Sequence, residues 1–227
     1  MSELDLTPVW ISLRLAGVTT IILLVLATPL AWWLAHTRSR LRPLVESTVA
    51  LPLVLPPTVL GFYFLLALGP HGWIGGPWQS VTGSVLSFTF TGLVIASLFY
   101  SLPFVVQPLQ NTFESMDGRH LEAAWCLRAT PFDAFVTIAV PMAARSYVTA
   151  AVLGFAHTLG EFGVVLMVGG SIPGKTKVLS IAIYERVENL DYTTAHYLSG
   201  GLLVFSFAVL LLVYTLNRRG ETPGLRP

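Results

Sequence analysis

The sequence predicts an all-α integral membrane protein, a bundle of five transmembrane helices with a short cytoplasmic loop of two coupling helices. Of its 227 residues, 54% are hydrophobic and 11% are charged, against about 25% charged in average soluble domains. The mean hydropathy is +0.70. A crossing helix needs about 20 apolar residues, and such runs lie near residues 10–35, 48–68, 84–108, 146–168 and 198–217. The runs are continuous, which favours helices over the two-residue alternation of a barrel.

The basic residues predict the orientation of this bundle. Of the 13 Lys and Arg residues, nine fall on one predicted side: Arg38, Arg40, Arg42, Arg119, Arg128, Arg145, Arg218, Arg219 and Arg226. The positive-inside rule makes that side cytoplasmic. We therefore expect the acidic start, residues 1–5, outside and the C-terminus inside. Residues 1–220 are predicted to form one transmembrane domain, followed by a cytoplasmic tail at 221–227. No basic segment or cleavage site marks a removable signal, so we expect the first span to be retained.

The second run contains three prolines, Pro52, Pro56 and Pro57, and each removes an amide donor and can break a helix. We expect a discontinuous helix here. Broken membrane helices are tolerated where they line a cavity, and a half-helix N-terminus offers free amides to an anion. Pro56, Pro57 and Thr58 are therefore candidates for a pore or gate. A simple kink is the alternative. In the third run, Pro103 is expected to bend the helix, as is Pro108.

The fourth run carries an ionisable residue, Glu161, between Gly160 and Gly163, with His157 four residues earlier on the same helical face. One interpretation is a proton relay or half of a metal site. The other is a hydrogen-bonded pair that fixes helix packing, with the glycines permitting close approach. We favour packing, and we keep Gly160, Glu161 and Gly163 as pore or gate candidates. In the fifth run, two adjacent glycines at 200–201 predict close packing.

The long loop at 109–145 has a polar, amphipathic part at residues 117–141. Thr130 suits an N-cap, Pro131 the first helical position and Asp133 the first turn, so a second short helix should begin there. Apolar residues at helical spacing predict a covered face on each helix: Leu121, Ala124 and Trp125 on the first, then Phe132, Phe135, Val136, Ala139 and Val140 on the second. Spacing alone leaves three interpretations: docking on a partner, surface helices without a partner, and a DNA-reading unit. The net charge of +1 argues against nucleic acid.

A phosphate-loop pattern at Gly169, Gly174, Lys175 and Thr176 is rejected, because it lacks the preceding strand, contains Pro173 and falls on the outside. We expect a turn-rich hairpin instead, leading into a short amphipathic segment at 178–188 that contacts an extracytoplasmic partner. The five histidines show no paired ligand spacing, and Cys126 is the only cysteine. We expect no metal site and no catalytic site.

Glu122, Ala123 and Ala124, followed by Ala129, Phe135 and residues 138–141, resemble the EAA loop of the inner-membrane permease subunits of ABC importers. The resemblance implies that Glu122, Ala123, Ala124, Arg128, Ala129, Pro131 and Phe135 couple the chain to a cytoplasmic ATPase. The chain departs from the family at Arg128, where the family has glycine, and a left-handed turn there would strain arginine.

Residues 159–163, reading Leu-Gly-Glu-Phe-Gly, and the segment 171–184 are similar to the molybdate branch of the oxyanion permeases. Sulfate permeases usually carry tyrosine after the glutamate. The resemblance implies a permease in the bacterial inner membrane that moves molybdate by alternating access. Its implied partners are an ATPase subunit dimer, an extracytoplasmic oxyanion-binding protein, a second copy of the chain and the lipid bilayer. The chain itself would bind no cofactor, since ATP and Mg belong to the ATPase.

Three alternatives stay open at this point. Within the ABC family, the cargo could be sulfate or tungstate, which are tetrahedral dianions as well. Outside it, a stand-alone secondary carrier or channel would use His157 and Glu161 as a proton-linked pair. An intramembrane enzyme is the weakest, because no nucleophile and base form a recognisable constellation.

Overall fold

The computed structural model describes residues 5–218, and this part of the chain is helical without any strand. The long or span-forming helices are α1 (Thr7–His36), α2 (Arg42–Val54), α3 (Pro57–Leu68), α5 (Phe90–Ser115), α9 (Ala144–Gly160) and α12 (Tyr192–Arg218). The shorter ones are α4 (Gly75–Thr82), α6 (Arg119–Cys126), α7 (Pro131–Ala134), a π-helical segment (Phe135–Ala139), α8 (Val140–Met142), α10 (Gly163–Gly169) and α11 (Leu179–Glu188). The all-α prediction is confirmed.

The number of spans is less definite than the sequence predicts. Three helices are long and apolar enough to cross a membrane: α1, α5 and α12 as far as Thr215. Within residues 5–218, two more spans arise only if bent helix pairs count as one span each. These pairs are α2 with α3, bent by 115°, and residues 131–142 with α9, bent by 71°. Predictions that concern residues 1–4 of the acidic start, Arg219, Arg226 and the tail at 221–227 lie outside the described residues.

The prolines of the second run break the helix where the sequence predicts a discontinuity. Helix α2 ends at Val54, Pro56 occupies the N-cap of α3, and Pro57 is its first residue. Pro52, by contrast, lies inside α2. The 115° bend is a break rather than the alternative of a simple kink.

The helices differ from the predicted bounds in the third and fourth runs. The third run, expected at 84–108, forms a helix at Phe90–Ser115, so the long loop begins after Ser115 rather than at 109. Thr89 fixes the start, because its Oγ1 accepts a hydrogen bond of 3.1 Å from the amide of Gly92. The helix continues through Pro103 and Pro108 because packing on its neighbours outweighs the lost amide donors. The fourth run, expected at 146–168, is interrupted between Gly160 and Gly163.

Helices α1 and α5 form the centre of the bundle and run in the same direction. The Arg14 guanidinium lies 4.6 Å from the centre of the Phe90 ring near their N-termini. Near their C-terminal ends, the Trp32 and Phe113 rings meet edge to face at 5.1 Å. Small, fully buried residues on α1, such as Ala27, allow this close approach. Helix α9 packs against both, so these three helices enclose the main core.

Helix α12 lies at the periphery, and only 6% of its most apolar window is buried. The close packing predicted for its glycine pair does not occur within residues 5–218, because a Cβ added at Gly200 or Gly201 would have no atom within 4 Å. Large apolar side chains such as Leu203 and Phe207 are more than half exposed. A helix that is apolar all round requires a membrane or another subunit around it.

Candidate functional site

Helix α6 ends in a left-handed turn at Arg128, whose φ is +65°. The amide of Ala129 donates to Ala124 O at 3.0 Å, and the amide of Arg128 donates to Trp125 O at 2.9 Å. These are the two hydrogen bonds of a Schellman C-cap, which normally has glycine in the left-handed position. The turn therefore forms despite the departure from the family pattern, and arginine occupies the strained conformation.

The start of α7 matches the sequence prediction. The Thr130 hydroxyl accepts from the amide of Asp133 at 3.1 Å, and the Asp133 carboxylate accepts from the amide of Thr130 at 3.3 Å. This is a reciprocal capping box. The helix then widens into the π-helical segment, where the amide of Val140 reaches Phe135 O. Pro141, which follows, has no amide to continue the ordinary pattern.

The predicted apolar faces of the loop helices are only partly covered. Leu121, Ala124 and Ala139 are buried as expected. Within the described chain nothing covers Trp125, Phe132 and Val136, which are 51%, 73% and 45% exposed, and Leu127 is 84% exposed. The exposed residues Trp125, Leu127 and Phe132 surround the Arg128 turn, and we call them the loop patch. An exposed apolar cluster of this kind marks an interaction surface.

The EAA-loop residues divide between this surface and the core. Glu122, Ala123 and Pro131 are exposed, while Ala129 and Phe135 are half-buried against the main core. The Phe135 ring lies 4.9 Å from that of Trp32 and 6.2 Å from that of Phe113. Phe135 is thus an anchor that joins the loop to α1 and α5.

A cleft of about 500 Å³ lies between the two helix breaks, and we call it the central cleft. Its walls come from the start of α3, the end of α9 and the segment that joins α9 to α10. The lining residues are Pro57, Thr58, Tyr100, Ala156, His157, Gly160, Glu161, Phe162 and Gly163. Five of the six pore or gate candidates therefore come together here, and the sixth, Pro56, is the N-cap of α3 rather than part of the lining.

Glu161 lies in the break rather than inside a continuous helix, with extended backbone angles of −65° and 132°. Only 4% of the residue is exposed. Its Oε2 accepts a hydrogen bond of 2.8 Å from Ser97 on α5, and its backbone carbonyl accepts one of 2.6 Å from Ser180 on α11. The other carboxyl oxygen, Oε1, is buried and has no hydrogen-bond partner in the described chain. Glu161 therefore links the end of α9 to α5 and α11, and its Oε1 remains an unused hydrogen-bond acceptor within the described chain.

His157 is held separately from Glu161. Its Nδ1 lies 2.9 Å from the hydroxyl of Ser101, and its ring stacks on Phe104 at 3.8 Å and lies 4.8 Å from that of Tyr100. The break after Gly160 removes the shared helical face that the sequence predicts. The direct pair in both sequence interpretations is therefore wrong, since each residue bonds to a serine of α5. The predicted packing role remains, because these serines are on a neighbouring helix.

The glycines permit the two breaks to meet. A Cβ added at Gly163 would lie 2.8 Å from Pro57 Cβ, which is closer than real Cβ atoms come to such a neighbour, and 3.4 Å from the amide nitrogen of Thr58. At Gly160, by contrast, a Cβ would have nothing within 4 Å. Close approach therefore requires glycine at 163 but not at 160.

The hairpin at 170–178 does not form a phosphate loop. A helix, α10, precedes it, and Thr176 donates its buried hydroxyl to Gly169 O at 2.6 Å. The predicted amphipathic segment forms α11. Lys177 and Ser171 both donate to the Glu185 carboxylate and tie the hairpin to α11. Partial burial raises the pKa of Glu185, but these two hydrogen bonds outweigh burial and hold that pKa below its usual range.

Within residues 5–218, no three His, Cys, Asp or Glu residues approach closely enough to hold a metal ion. The central cleft has one imidazole and one carboxylate.

Ser97 and Ser101, the α5 partners of Glu161 and His157, were not predicted from the sequence. A sequence pattern could have indicated them, because two hydroxyl residues four positions apart lie on one face of an apolar span, where they can bond to a neighbouring helix. Ser101 also approaches the hydroxyl of Thr158 at 2.8 Å. Tyr100, which lines the central cleft, carried no such signal.

Comparison with known proteins gives both a family and a fold. The family described as binding-protein-dependent transport system inner membrane component matches residues 27–219. The Azotobacter vinelandii protein named molybdenum transport system permease protein ModB is 57% identical over 218 residues, which cover 96% of each chain. The Bacillus subtilis (strain 168) protein named putative molybdenum transport system permease protein YvgM is 34% identical over 91% of each chain.

A relative named for sulfate transport is less similar to this chain than the Azotobacter vinelandii protein is. The protein named probable sulfate transport system permease protein cysT from Zygnema circumcarinatum is 34% identical and covers 87% of this chain and 68% of its own. Among solved structures, a bacterial ABC transporter involved in alginate import has a TM-score of 0.77 at 16% identity, with 98% of this chain and 82% of that chain covered. The MetNI methionine ABC transporter has a TM-score of 0.73 at 18% identity, with 96% and 99% covered. These structural likenesses show the fold.

Proposed function

The chain belongs to the family of binding-protein-dependent transport system inner membrane components, and on that premise we propose that it is the permease subunit of an ATP-driven molybdate importer. One observation carries the choice of cargo. Over 96% of its length the chain is 57% identical to a molybdenum transport permease, whereas the sulfate permease described above is 34% identical. The family makes the chain an inner-membrane protein with several spans, and it supports a permease that is not itself an enzyme.

For the membrane topology, we propose five spans: α1, the bent pair α2–α3, α5, a fourth span built on α9, and α12. The salt bridge of 2.5 Å between Arg42 and Glu114 supports this order, because it brings the start of α2 beside the end of α5. Arg38, Arg40 and Arg42 follow α1 at that same end. With these cations inside, α1 begins outside and the C-terminus is cytoplasmic.

The loop patch is the proposed docking surface for the cytoplasmic ATPase dimer. Trp125, Leu127 and Phe132 are exposed around a turn that the Schellman and capping-box hydrogen bonds hold in place. Exposed aromatic residues on a rigid turn are typical anchors of an interface. Glu122 is exposed on the same loop and would guide docking by charge. ATP and Mg would bind the ATPase, and Phe135 would transmit its movement to α1 and α5.

The central cleft is the proposed part of the transport path, completed by a second copy of the chain. It lies where two broken helices meet, and broken membrane helices are typical of transporter sites. Thr58 and Tyr100 supply polar groups to its wall. Docked ATPases would move the loops together or apart, and the two helix breaks would open the path to one side at a time. Cargo would arrive on an extracytoplasmic oxyanion-binding protein, which would supply most of the selectivity.

The test of this function is uptake of labelled molybdate into vesicles that contain the chain with its ATPase and its binding protein. We expect uptake that requires ATP and resists excess sulfate. Sulfate-sensitive uptake would move the chain to the sulfate permeases, and competition by tungstate alone would indicate a tungstate carrier. Uptake without ATP would overturn the ABC proposal in favour of a secondary carrier.

The docking role has its own test. Glu122→Arg should leave the protein inserted but lower ATP-driven uptake about tenfold, the equivalent of roughly 1.4 kcal/mol. Copurification of the ATPase with the chain is the second readout, because it does not involve the extracytoplasmic partner. Glu188→Arg is the matched control for that readout, since Glu188 is an exposed acidic residue at the end of α11 and not part of the coupling loop. Normal uptake by Glu122→Arg, or an equal loss of ATPase copurification in the control, would refute docking at this surface.

A further inference from the structure

A second cleft, of about 510 Å³, lies at the N-terminal ends of α1 and α5, and we call it the α1–α5 cleft. Its walls combine two cations with three aromatic rings: Arg14, Lys175, Trp10, Phe88 and Phe90. It is separate from the central cleft and from the loop patch. Nothing in the proposed transport cycle uses it.

The two cations of this cleft have no acidic partner among the described residues. Within residues 5–218, neither Arg14 nor Lys175 forms a salt bridge, and the guanidinium of Arg14 lies over the ring of Phe90. Their cationic neighbours differ, because Lys177 pairs with Glu185 and Arg186 pairs with Asp191. Both Arg14 and Lys175 are exposed. Among the described residues, the lining of the cleft is therefore positively charged.

The position of Trp10 along α1 indicates the depth of this cleft in the membrane. Trp10 and Trp33, both exposed, are separated by about 34 Å along the helix axis at 1.5 Å per residue. A hydrocarbon core is about 30 Å thick, and exposed tryptophans collect at its two boundaries. The α1–α5 cleft thus lies at headgroup level. Arg14 is one turn deeper, and its long side chain can extend towards that level.

The face of α1 below the cleft is apolar and open. At about 100° per residue, Trp10, Arg14, Ile21 and Val25 fall within a stripe about 60° wide. Ile21 is 66% exposed and Val25 is 68% exposed. Gly17 lies beside this stripe, about 20° outside its edge, and a Cβ added there would have no atom within 4 Å. A cationic cleft at the headgroup level therefore continues into a smooth apolar track.

The aromatic wall of the cleft is rigidly placed. Phe88 has a φ of +60°, a region that bulky side chains rarely adopt. Its amide donates to Val168 O at 2.8 Å, and its ring lies against Gly170. Surrounding structure must hold a residue in such a conformation, and strain of this kind collects at binding sites.

From these observations we propose that the α1–α5 cleft binds the phosphodiester headgroup of an anionic phospholipid, with one acyl chain along the stripe of Ile21 and Val25. Arg14 and Lys175 neutralise the phosphate, and the aromatic rings contact the glycerol region. A phospholipid matches both the cationic cleft and the apolar stripe beside it. A free inorganic anion would contact only the two cations and would leave the stripe unoccupied.

The test compares lipid binding to the full-length purified chain in detergent by native mass spectrometry, with phosphatidylglycerol and phosphatidylcholine as probes. We expect a preference for phosphatidylglycerol, and we expect Arg14→Gln with Lys175→Gln to reduce it by roughly 10- to 30-fold. Arg186→Gln is the matched control, because that cation already has Asp191 as its partner. Binding of phosphatidylcholine should not change in either variant.

Three results would overturn the proposal: equal binding of the two lipids by the parent chain, an equal loss in the Arg186→Gln control, or displacement of phosphatidylglycerol by millimolar phosphate or molybdate. The last would identify a free-anion site. If the double variant fails to fold, the single variant Lys175→Gln replaces it in the same assay. Lys175 is exposed in a hairpin, so this substitution should not disturb folding. It should still lower the preference for phosphatidylglycerol severalfold. Because the assay contains no ATPase and measures no transport, its outcome is independent of the proposed function.

Discussion

Ser97 on α5 donates a hydrogen bond of 2.8 Å to Oε2 of Glu161, the residue at the break between α9 and α10. The bond crosses from an unbroken helix to a broken one, and it is buried. It therefore fixes where the chain turns at the wall of the central cleft. Glu161 has a structural role that does not require a contact with His157.

Glu161→Ala should destabilise the protein by roughly 1–3 kcal/mol, because it removes the acceptor for Ser97 from a buried site. Glu161→Gln retains an amide oxygen for that bond and should lose much less. Thermal unfolding of both variants in detergent measures the difference. Equal losses in the two variants would show that the carboxyl group matters for something other than this hydrogen bond.

Gly163→Ala should destabilise the protein by about 1–3 kcal/mol and reduce ATP-driven uptake, because the new Cβ would overlap Pro57. Gly160→Ala is the matched control in the same break, where a Cβ meets nothing. Thermal unfolding and uptake should separate the two variants. Unchanged thermal stability and uptake in Gly163→Ala would mean that α3 and α10 can move apart without cost.

Arg128→Gly should stabilise the end of α6 by about 1 kcal/mol, because glycine adopts the left-handed conformation without strain. Arg128→Ala keeps a Cβ and should not produce this gain. Hydrogen exchange of the amides of Arg128 and Ala129, which form the Schellman bonds, gives the measurement. Slower exchange in the alanine variant as well would trace the effect to loss of the charge.

Thr130→Ala should loosen α7 by about 1 kcal/mol, since it removes the hydroxyl that accepts from the amide of Asp133. Thr137→Ala serves as the control, because its hydroxyl donates to Asp133 O inside the helical segment and caps no end. Faster amide exchange in α7 is expected for Thr130→Ala only. Equal rates of amide exchange in the two variants would show that the capping box does not stabilise the start of α7.

The Glu185 carboxylate should make stability depend on pH. Its pKa in the folded protein is lowered, so its contribution is present above the unfolded value of about 4.3 and is lost as the pH falls through the folded value. As the pH falls below about 4.3, the melting temperature of the parent chain should therefore drop more steeply than the melting temperature of Glu185→Gln. The effect should be small, because the side chain is 31% exposed and solvent screens it. Parallel pH profiles would contradict the role of this group.

Much of the local structure of the loop could be predicted from the sequence, because it depends on residues that are close together in the chain. Thr130 and Asp133 cap each other across three residues, so their spacing alone predicts the helix start. The exposure of Trp125 and Phe132 could not be predicted in the same way, because periodicity identifies an apolar face without saying what covers it. Phe135 shares that periodicity yet packs on Trp32, which lies far away in the chain.

Composition and apolar run length determined by themselves that this chain is an all-α membrane protein, and three prolines determined that its second run breaks. These are properties of single segments, set by desolvation and by missing amide donors. Only the tertiary structure decided that the two breaks meet at one cleft and that Glu161 and His157 each bond to a serine of α5. It alone also brought Arg14 and Lys175 together. Such relationships depend on which helices pack side by side, and long-range packing leaves no periodic signal in the sequence.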